Sequence, residues 1–291
     1  MPELPEVETT VNGLKERVLG RTFLNVWSDW QKLIKKPKNF ELFKEQIKNK
    51  KIENIWRRAK NVIFDLSGGY SLLVHQKMTG HLLVGKWQMA EGKWLPLEKG
   101  PLNDPYNRFL HVIFLFDDGQ MMALSDARKF AKVELQKTED LLNSKDFKIL
   151  GPEPLDKKFT LEKFKEILKN KKGKIKQVLM DPEVIAGIGN IYTSEILWQA
   201  KIHPEKSAVK LNDSELELIF GAIKGVLKLG VDLGGESFSD YRKPDGSKGN
   251  FDTERKAYKR EGQKCERCET KIVRKKIGQR SAFFCPHCQK L

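Results

Sequence analysis

The chain opens MPELPEVETT, and a proline directly behind Met1 is its first feature with chemistry in it. Removal of Met1 would expose a secondary amine at Pro2. An α-amine titrates near ~8, well below a lysine side chain, so a neutral fraction exists at physiological pH. The positive end of a helix starting nearby lowers the value further. Such an amine can attack an aldehyde-level carbon and form an iminium, and Glu3 and Glu6 stand close enough in sequence to move protons. Taken alone, the same residues also read as an ordinary helix start, with Pro5 suited to a first turn.

The second feature lies at the opposite end. Cys265 and Cys268, then sixteen residues, then Cys285 and Cys288 have the spacing of a four-thiolate zinc site, each pair supplying two ligands from one tight turn. All four cysteines fall in the last 27 residues, a distribution unlike a disulfide framework spread over a secreted fold. Four thiolates complete a tetrahedron, so His287 is a bystander and one structural zinc is expected, with no open position for catalysis. The intervening TKIVRKKIGQRSAFF reads as two strands about a Gly278-Gln279 turn, with Arg280 near the tip. Ten basic and three acidic side chains from Ala257 to Leu291 make the module cationic. A fold-stabilising ribbon without a role in binding is the alternative.

The elements between these ends are legible from periodicity. Val7, Val11, Leu14 and Val18 recur at helical spacing. From about 51 to 136 short β-rich runs follow (IENIW, NVIFDL, YSLLVH, FLHVIFLF, MMALSD, AKVEL), broken by turns such as SGG and DDGQ, which predicts a two-layer antiparallel domain. GPEPLD closes a charged stretch and marks a linker. Helices are then predicted from a Thr160 cap, near 174–180, after Asn190, and from a Ser214 cap. The segment 234–251, rich in glycine, is expected to be a mobile loop. The expected division is a catalytic β domain over 1–136, a linker over 137–158, a helical domain with the loop over 159–256, and the zinc finger over 257–291.

Charge bounds the partner. Lysine and arginine total 54 against 39 acidic residues, giving +15, which favours a polyanion. The longest unbroken apolar run, Val112 to Phe116, is too short to cross a membrane, and Glu3, Glu6 and Glu8 do not resemble a signal peptide. A cytoplasmic, nucleoid-associated monomer is expected.

Together MPELPEVETT, RRAK at 57–60, HQKMTG at 75–80, SDARKF at 125–130, LGPEPL at 150–155, AGIGNIYTSEILW at 186–198 and the terminal zinc finger resemble the formamidopyrimidine-DNA glycosylases, in order and over nearly the whole chain. The resemblance implies an α+β multidomain protein: an N-terminal β-sandwich flanked by helices, and a C-terminal helix-two-turn-helix domain with a zinc finger, DNA lying in the cleft. It implies excision of oxidised purines (8-oxoguanine, formamidopyrimidines) from duplex DNA, and cleavage at the resulting abasic site by β- and δ-elimination, without a redox cofactor.

By that likeness Pro2 is the nucleophile, Glu3 the general acid that helps open the sugar, and Glu6 its support. Lys60 grips phosphate beside the lesion, and His75 joins it in contacting DNA. Met78, Arg128 and Phe130 fill the gap left by the flipped base. Lys176 is a lesion-side contact, Asn190 caps a helix whose N-terminus holds phosphate, and Arg280 is the finger's clamp. The bland readings are a surface lysine for Lys60, core packing for Met78 and Phe130, and a plain tight turn for AGIGN.

The chain departs from the family pattern at Gln76 and Lys77, where leucine and glycine are usual, at Pro182, and after Gly235, where Glu236 and the DTERKAY segment stand. These departures bear on lesion preference. Two rivals remain: an endonuclease VIII type enzyme acting on oxidised pyrimidines, whose start usually reads PEGPE, and a zinc-finger binding protein without chemistry.

Overall fold

A computed structural model describes residues 1–291. The chain forms two compact units: Met1–Lys148 with Leu233–Asn250, and Ile149–Asp232 with Phe251–Leu291.

The first unit contains, in chain order, α1 (Leu4–Val18), β1 (Phe23–Ser28), β2 (Ile34–Lys36), α2 (Phe40–Ile47), β3 (Ile52–Arg58), β4 (Asn61–Leu66), β5 (Tyr70–His75), β6 (His81–Gly85), β7 (Trp87–Ala90), β8 (Lys93–Pro96), β9 (Leu110–Phe116), β10 (Met121–Ser125), β11 (Lys132–Lys137), α3 (Thr138–Asn143) and α4 (Lys145–Lys148). A four-stranded sheet runs β1-β9-β10-β6 and a five-stranded sheet runs β2-β11-β5-β4-β3. Only the β2–β11 pair is parallel.

The inner residues of the two sheets share one core. Phe23, Phe114 and Phe116 from the first sheet meet Val62, Phe64, Leu72 and Val74 from the second, with Phe43 of α2 and the predicted stripe Val7, Val11, Leu14 and Val18 of α1. The expected sandwich with flanking helices is therefore what the chain forms. Three elements before Lys51 are not apparent in the sequence: β1, β2 and α2 are short, and β2 and α2 carry charge on their outer sides. The expected linker begins with α3 and α4, two short helices rich in charge.

The second unit contains α5 (Leu161–Leu168), α6 (Ile175–Met180), α7 (Asn190–Gln199), α8 (Asp213–Asp232), β12 (Val273–Ile277) and β13 (Arg280–Phe284). Thr160 caps α5 as predicted, accepting from the Lys163 amide at 3.3 Å. Ser214 is not the cap of α8. Asn212 is, in a reciprocal box: its Oδ1 accepts from the Glu215 amide at 2.9 Å and its own amide donates to the Glu215 carboxylate at 3.1 Å. Likewise Asn190 is the first residue of α7, and Gly189 holds the cap position. The linker motif docks onto the turn before α7, with Gly151 N–H on Pro182 O at 2.8 Å and Ala186 N–H on Pro152 O at 3.0 Å. A Cβ on Gly151 would lie 2.6 Å from the Val184 carbonyl, so no larger residue fits.

The glycine-rich segment is a second correction. It packs with the first unit rather than the helical one, and most of it is tied down. Tyr241 OH donates to Glu6 O at 3.0 Å, Val84 N–H to Pro244 O at 2.7 Å, and Asn107 Nδ2 to Gly246 O at 3.1 Å. Arg242, fully buried, pairs with Asp104 at 3.0 Å and lies over the Tyr106 ring. The tip is open: Phe238 is 55% exposed. Polar and glycine-rich composition suggested mobility; partners over a hundred residues away in sequence supply the order.

Candidate active site

The N-terminal residues converge on one carboxylate. Glu3 and Glu6 are 2% and 1% exposed. Glu6 Oε2 accepts the Glu3 amide at 2.7 Å, and Glu6 Oε1 accepts the Glu236 amide at 2.7 Å. The backbone carbonyl of Glu6 also receives the hydroxyls of Thr10 at 2.8 Å and Tyr241 at 3.0 Å. Burial is the main force pushing the Tyr241 phenol far above its ordinary range, so it remains a donor. Gly235, at φ +80°, lies so close that a Cβ would stand 2.9 Å from the Glu6 side chain. Glu6 thus joins the first turn of α1 to the segment 233–250. Pro2 is buried beside them and Met1 is exposed. While Met1 is attached the Pro2 nitrogen is an amide without a basic lone pair; its loss makes that nitrogen a secondary amine.

One end of the five-stranded sheet gathers cations. His75 is opposite both Asn61 and Lys132 in register, which brings Lys60, in the β3–β4 turn, to the same end. Arg57 shapes that turn: its guanidinium donates to Ala59 O at 3.0 Å and is anchored by Glu8 at 2.6 Å. Burial, then the nearby Lys77, Lys60 and Lys132 ammonium groups, lower the His75 pKa to about 3. The neutral ring accepts the Lys77 amide on Nδ1 at 3.0 Å. Lys77 itself sits at φ +55°, a left-handed conformation that costs a non-glycine residue about 1–2 kcal/mol.

Met78, Arg128 and Phe130 are presented by two neighbouring turns locked together by Asp126. This fully buried carboxylate accepts the amides of Phe130 and Ala131, each at 2.7 Å, that of Arg128 at 3.2 Å, and the hydroxyl of Thr79, the residue after Met78. The Arg128 guanidinium lies 4.6 Å from the Phe130 ring centroid. Phe130 is 53% exposed, so the core-packing alternative does not hold for it; Met78 is half-buried. Asp126, Thr79 and Arg57 were not singled out in the sequence. An aspartate two residues ahead of a turn residue is the signal that could have found Asp126.

In the second unit Asn190 stands in the first turn of α7, half-buried, with its Oδ1 unpartnered. Lys176 is 1% exposed, and its ammonium donates to Ser194 Oγ at 3.2 Å, which in turn donates to Asn190 O at 3.0 Å. These bonds tie it to the start of α7. Arg280 is exposed as the first residue of β13. The turn before it meets α6, since a Cβ on Gly278 would touch Gln177.

Cys265, Cys268, Cys285 and Cys288 place their sulfur atoms within 4.8 Å of one another. The Cys268 to Cys285 and Cys268 to Cys288 separations of 3.4 and 3.3 Å are too long for disulfides and near the edge of about 3.8 Å in a tetrahedron with metal–sulfur bonds of about 2.3 Å. Polar groups that sequence reading passed over fix this ribbon to α7. Buried Glu195, its carboxyl pushed up by burial, accepts the amides of Lys256, Ala257 and Tyr258 at 2.8, 3.0 and 2.7 Å. Gln289 bridges the Cys285 amide and Ile202 O, both at 2.9 Å, and Arg267 stacks 3.6 Å from the Trp198 ring centroid.

Known proteins share this sequence pattern and fold. Residues 1–133 match the formamidopyrimidine-DNA glycosylase N-terminal domain, 150–242 the H2TH domain of the same enzymes, and 262–291 a zinc finger found in FPG and IleRS. The formamidopyrimidine-DNA glycosylases of Pediococcus pentosaceus and Rickettsia africae are 38% and 39% identical to this chain, with 100% and 99% of each partner covered. A Lactococcus lactis FPG variant in complex with Fapy-dG DNA superposes with a TM-score of 0.86 at 33% identity, and a MutM complex with DNA carrying carbocyclic 8-oxo-G with 0.84 at 34%, covering 100% of each chain. The chain belongs to the formamidopyrimidine-DNA glycosylase family. That makes it a DNA glycosylase of base excision repair, in a family whose members also carry AP lyase activity.

Proposed function

We propose that this chain excises oxidised purines, 8-oxoguanine and formamidopyrimidines, through a Schiff base on Pro2. The observation that carries the reading is the buried Glu3–Glu6 pair at the first turn of α1, beside a proline whose nitrogen becomes an amine when Met1 is lost. The amine attacks the anomeric carbon, Glu3 protonates the opening sugar oxygen, and the damaged base departs with the bonding pair of its glycosidic bond. The resulting iminium acidifies the adjacent sugar proton. Its removal expels the 3′ phosphate, a second elimination expels the 5′ phosphate, and water releases Pro2.

Lys60, His75, Asn190 and Arg280 bind backbone phosphate, and Met78, Arg128 and Phe130 occupy the space of the extruded base. Lys176 supports the Asn190 turn. Zinc is the metal that suits four clustered thiolates; held by the four cysteines it leaves no open position and fixes the hairpin bearing Arg280. The N-terminal domain comprises 1–136 together with 233–250, followed by a linker over 137–158, the helical domain from 159 and the zinc finger over 257–291.

Borohydride reduction on 8-oxoguanine duplex, followed by mass mapping, tests the reading. An adduct on Pro2 is expected. An adduct on Lys60, retained Met1 in active protein, or no adduct on any lesion duplex overturns it.

A further inference from the structure

Three turns of the first unit carry residues assigned above to DNA, and each contains a non-glycine residue in the left-handed region: Ala59 at φ +53° before Lys60, Lys77 at +55° before Met78, and Lys129 at +57° before Phe130. Glycine would adopt this conformation without steric conflict. Two of the three have a visible return within the fold. Ala59 O is held by Arg57, and the Lys129 ammonium lies 4.3 Å from the Trp30 ring centroid. Lys77 has none for its side chain. Its amide is fixed by His75, but its ammonium is exposed and no ion pair engages it.

Lys60, Lys77 and Lys132 crowd one sheet end, where Lys132 pairs with Glu134 at 3.2 Å. Lys77 brings a further positive charge to that end, on a backbone conformation that glycine would adopt without strain. A bound anion would give the ammonium the partner that the fold does not, although the backbone conformation would be unchanged by it. The ammonium is a point charge on a flexible stem, suited to a phosphate oxygen rather than to a planar base edge.

We infer that Lys77 is a phosphate ligand of the DNA surface, neutralising one backbone phosphate next to the base step that Met78 enters. The inference rests on the reading that this sheet end carries DNA. It identifies a departure from the family pattern as an added contact.

The test is equilibrium binding to a duplex with a tetrahydrofuran abasic analogue from about 50 to 200 mM salt, for the parent, Lys77→Gly, Lys77→Gln, Lys77→Arg and Lys60→Gln. Each phosphate contact contributes about 0.9 to the log-log slope, so the affinity gap between the parent and Lys77→Gly or Lys77→Gln should narrow by about threefold over that range. Lys77→Arg should keep the parent slope, and Lys77→Gly should melt no lower than the parent. If Lys60→Gln loses slope while Lys77→Gly and Lys77→Gln do not, the inference is overturned and the DNA reading stands. If all three retain the full slope, the assignment of this sheet end to DNA fails with it.

Discussion

Arg128 offers hydrogen-bond donors and no acceptor, which gives it a preference among the bases left without a partner. Cytosine presents its ring nitrogen and carbonyl oxygen side by side, whereas adenine sets an amino donor beside its ring nitrogen. A mismatched bidentate contact costs about 1–3 kcal/mol, or about 5- to 150-fold in rate or affinity. Single-turnover excision should be faster opposite cytosine than opposite adenine, and Arg128→Ala should lose most of that ratio while still trapping with borohydride. Equal rates in the parent would remove Arg128 from this role. His75 carries the second prediction at this scale. Its pKa is 6.5 when exposed and about 3 in the fold, so between those values the unfolded chain holds a proton that the native protein lacks. Its contribution to stability is therefore present above pH 6.5 and lost as pH falls toward 3. Melting temperature should fall less over that window in His75→Gln than in the parent; parallel curves would show that His75 is not the group titrating.

The elements that present these residues were harder to read than the residues themselves. The cysteine spacing points to a metal site by type and position, whereas Pro2 and Glu3 take their proposed roles from the family resemblance. Asp126 and Glu195 look like ordinary polar residues until the fold brings backbone amides to them, in the second case from 61 to 63 positions away. The cap of α8 was within reach, since Asn212 and Glu215 form a capping box in sequence, but Ser214 is an equally good cap by type alone. Asp126→Ala would strand the Phe130 and Ala131 amides and release the Met78 and Phe130 turns from each other. A loss of about 2–4 kcal/mol is expected in denaturant unfolding, with poorer excision at saturating DNA. A loss under about 0.5 kcal/mol would mean that water replaces the carboxylate. In the ribbon, Cys268→Ser should release metal and weaken DNA binding, because the hairpin bearing Arg280 depends on the closed thiolate shell. Full affinity in the metal-free protein would show that the ribbon does not grip DNA.

For the molecule as a whole, a charge of +15 predicts binding governed by counterion release. With two phosphates neutralised by Lys60 and Arg280, and neutral His75 and Asn190 adding hydrogen bonds but no charge, the log-log salt slope should be about −2, and about −3 if Lys77 adds its own contact. A flat response would leave the charge without this role. Charge and the sandwich were legible in sequence; the path of the chain was not. It leaves the first unit after Lys148, returns at Leu233 and leaves again after Asn250. A cut at the exposed tip near Phe238 would therefore yield two peptides, each owning part of both units. The shorter would keep Tyr241, Arg242 and the four cysteines; the longer would keep Glu6, Asp104 and α7. Such a nicked protein should travel as one species in gel filtration and come apart only in denaturant. The two pieces, made separately, are natural halves for a reconstituted enzyme, whereas a clean truncation at Lys148 would strand Asp104 and deprive Glu6 of its Tyr241 contact.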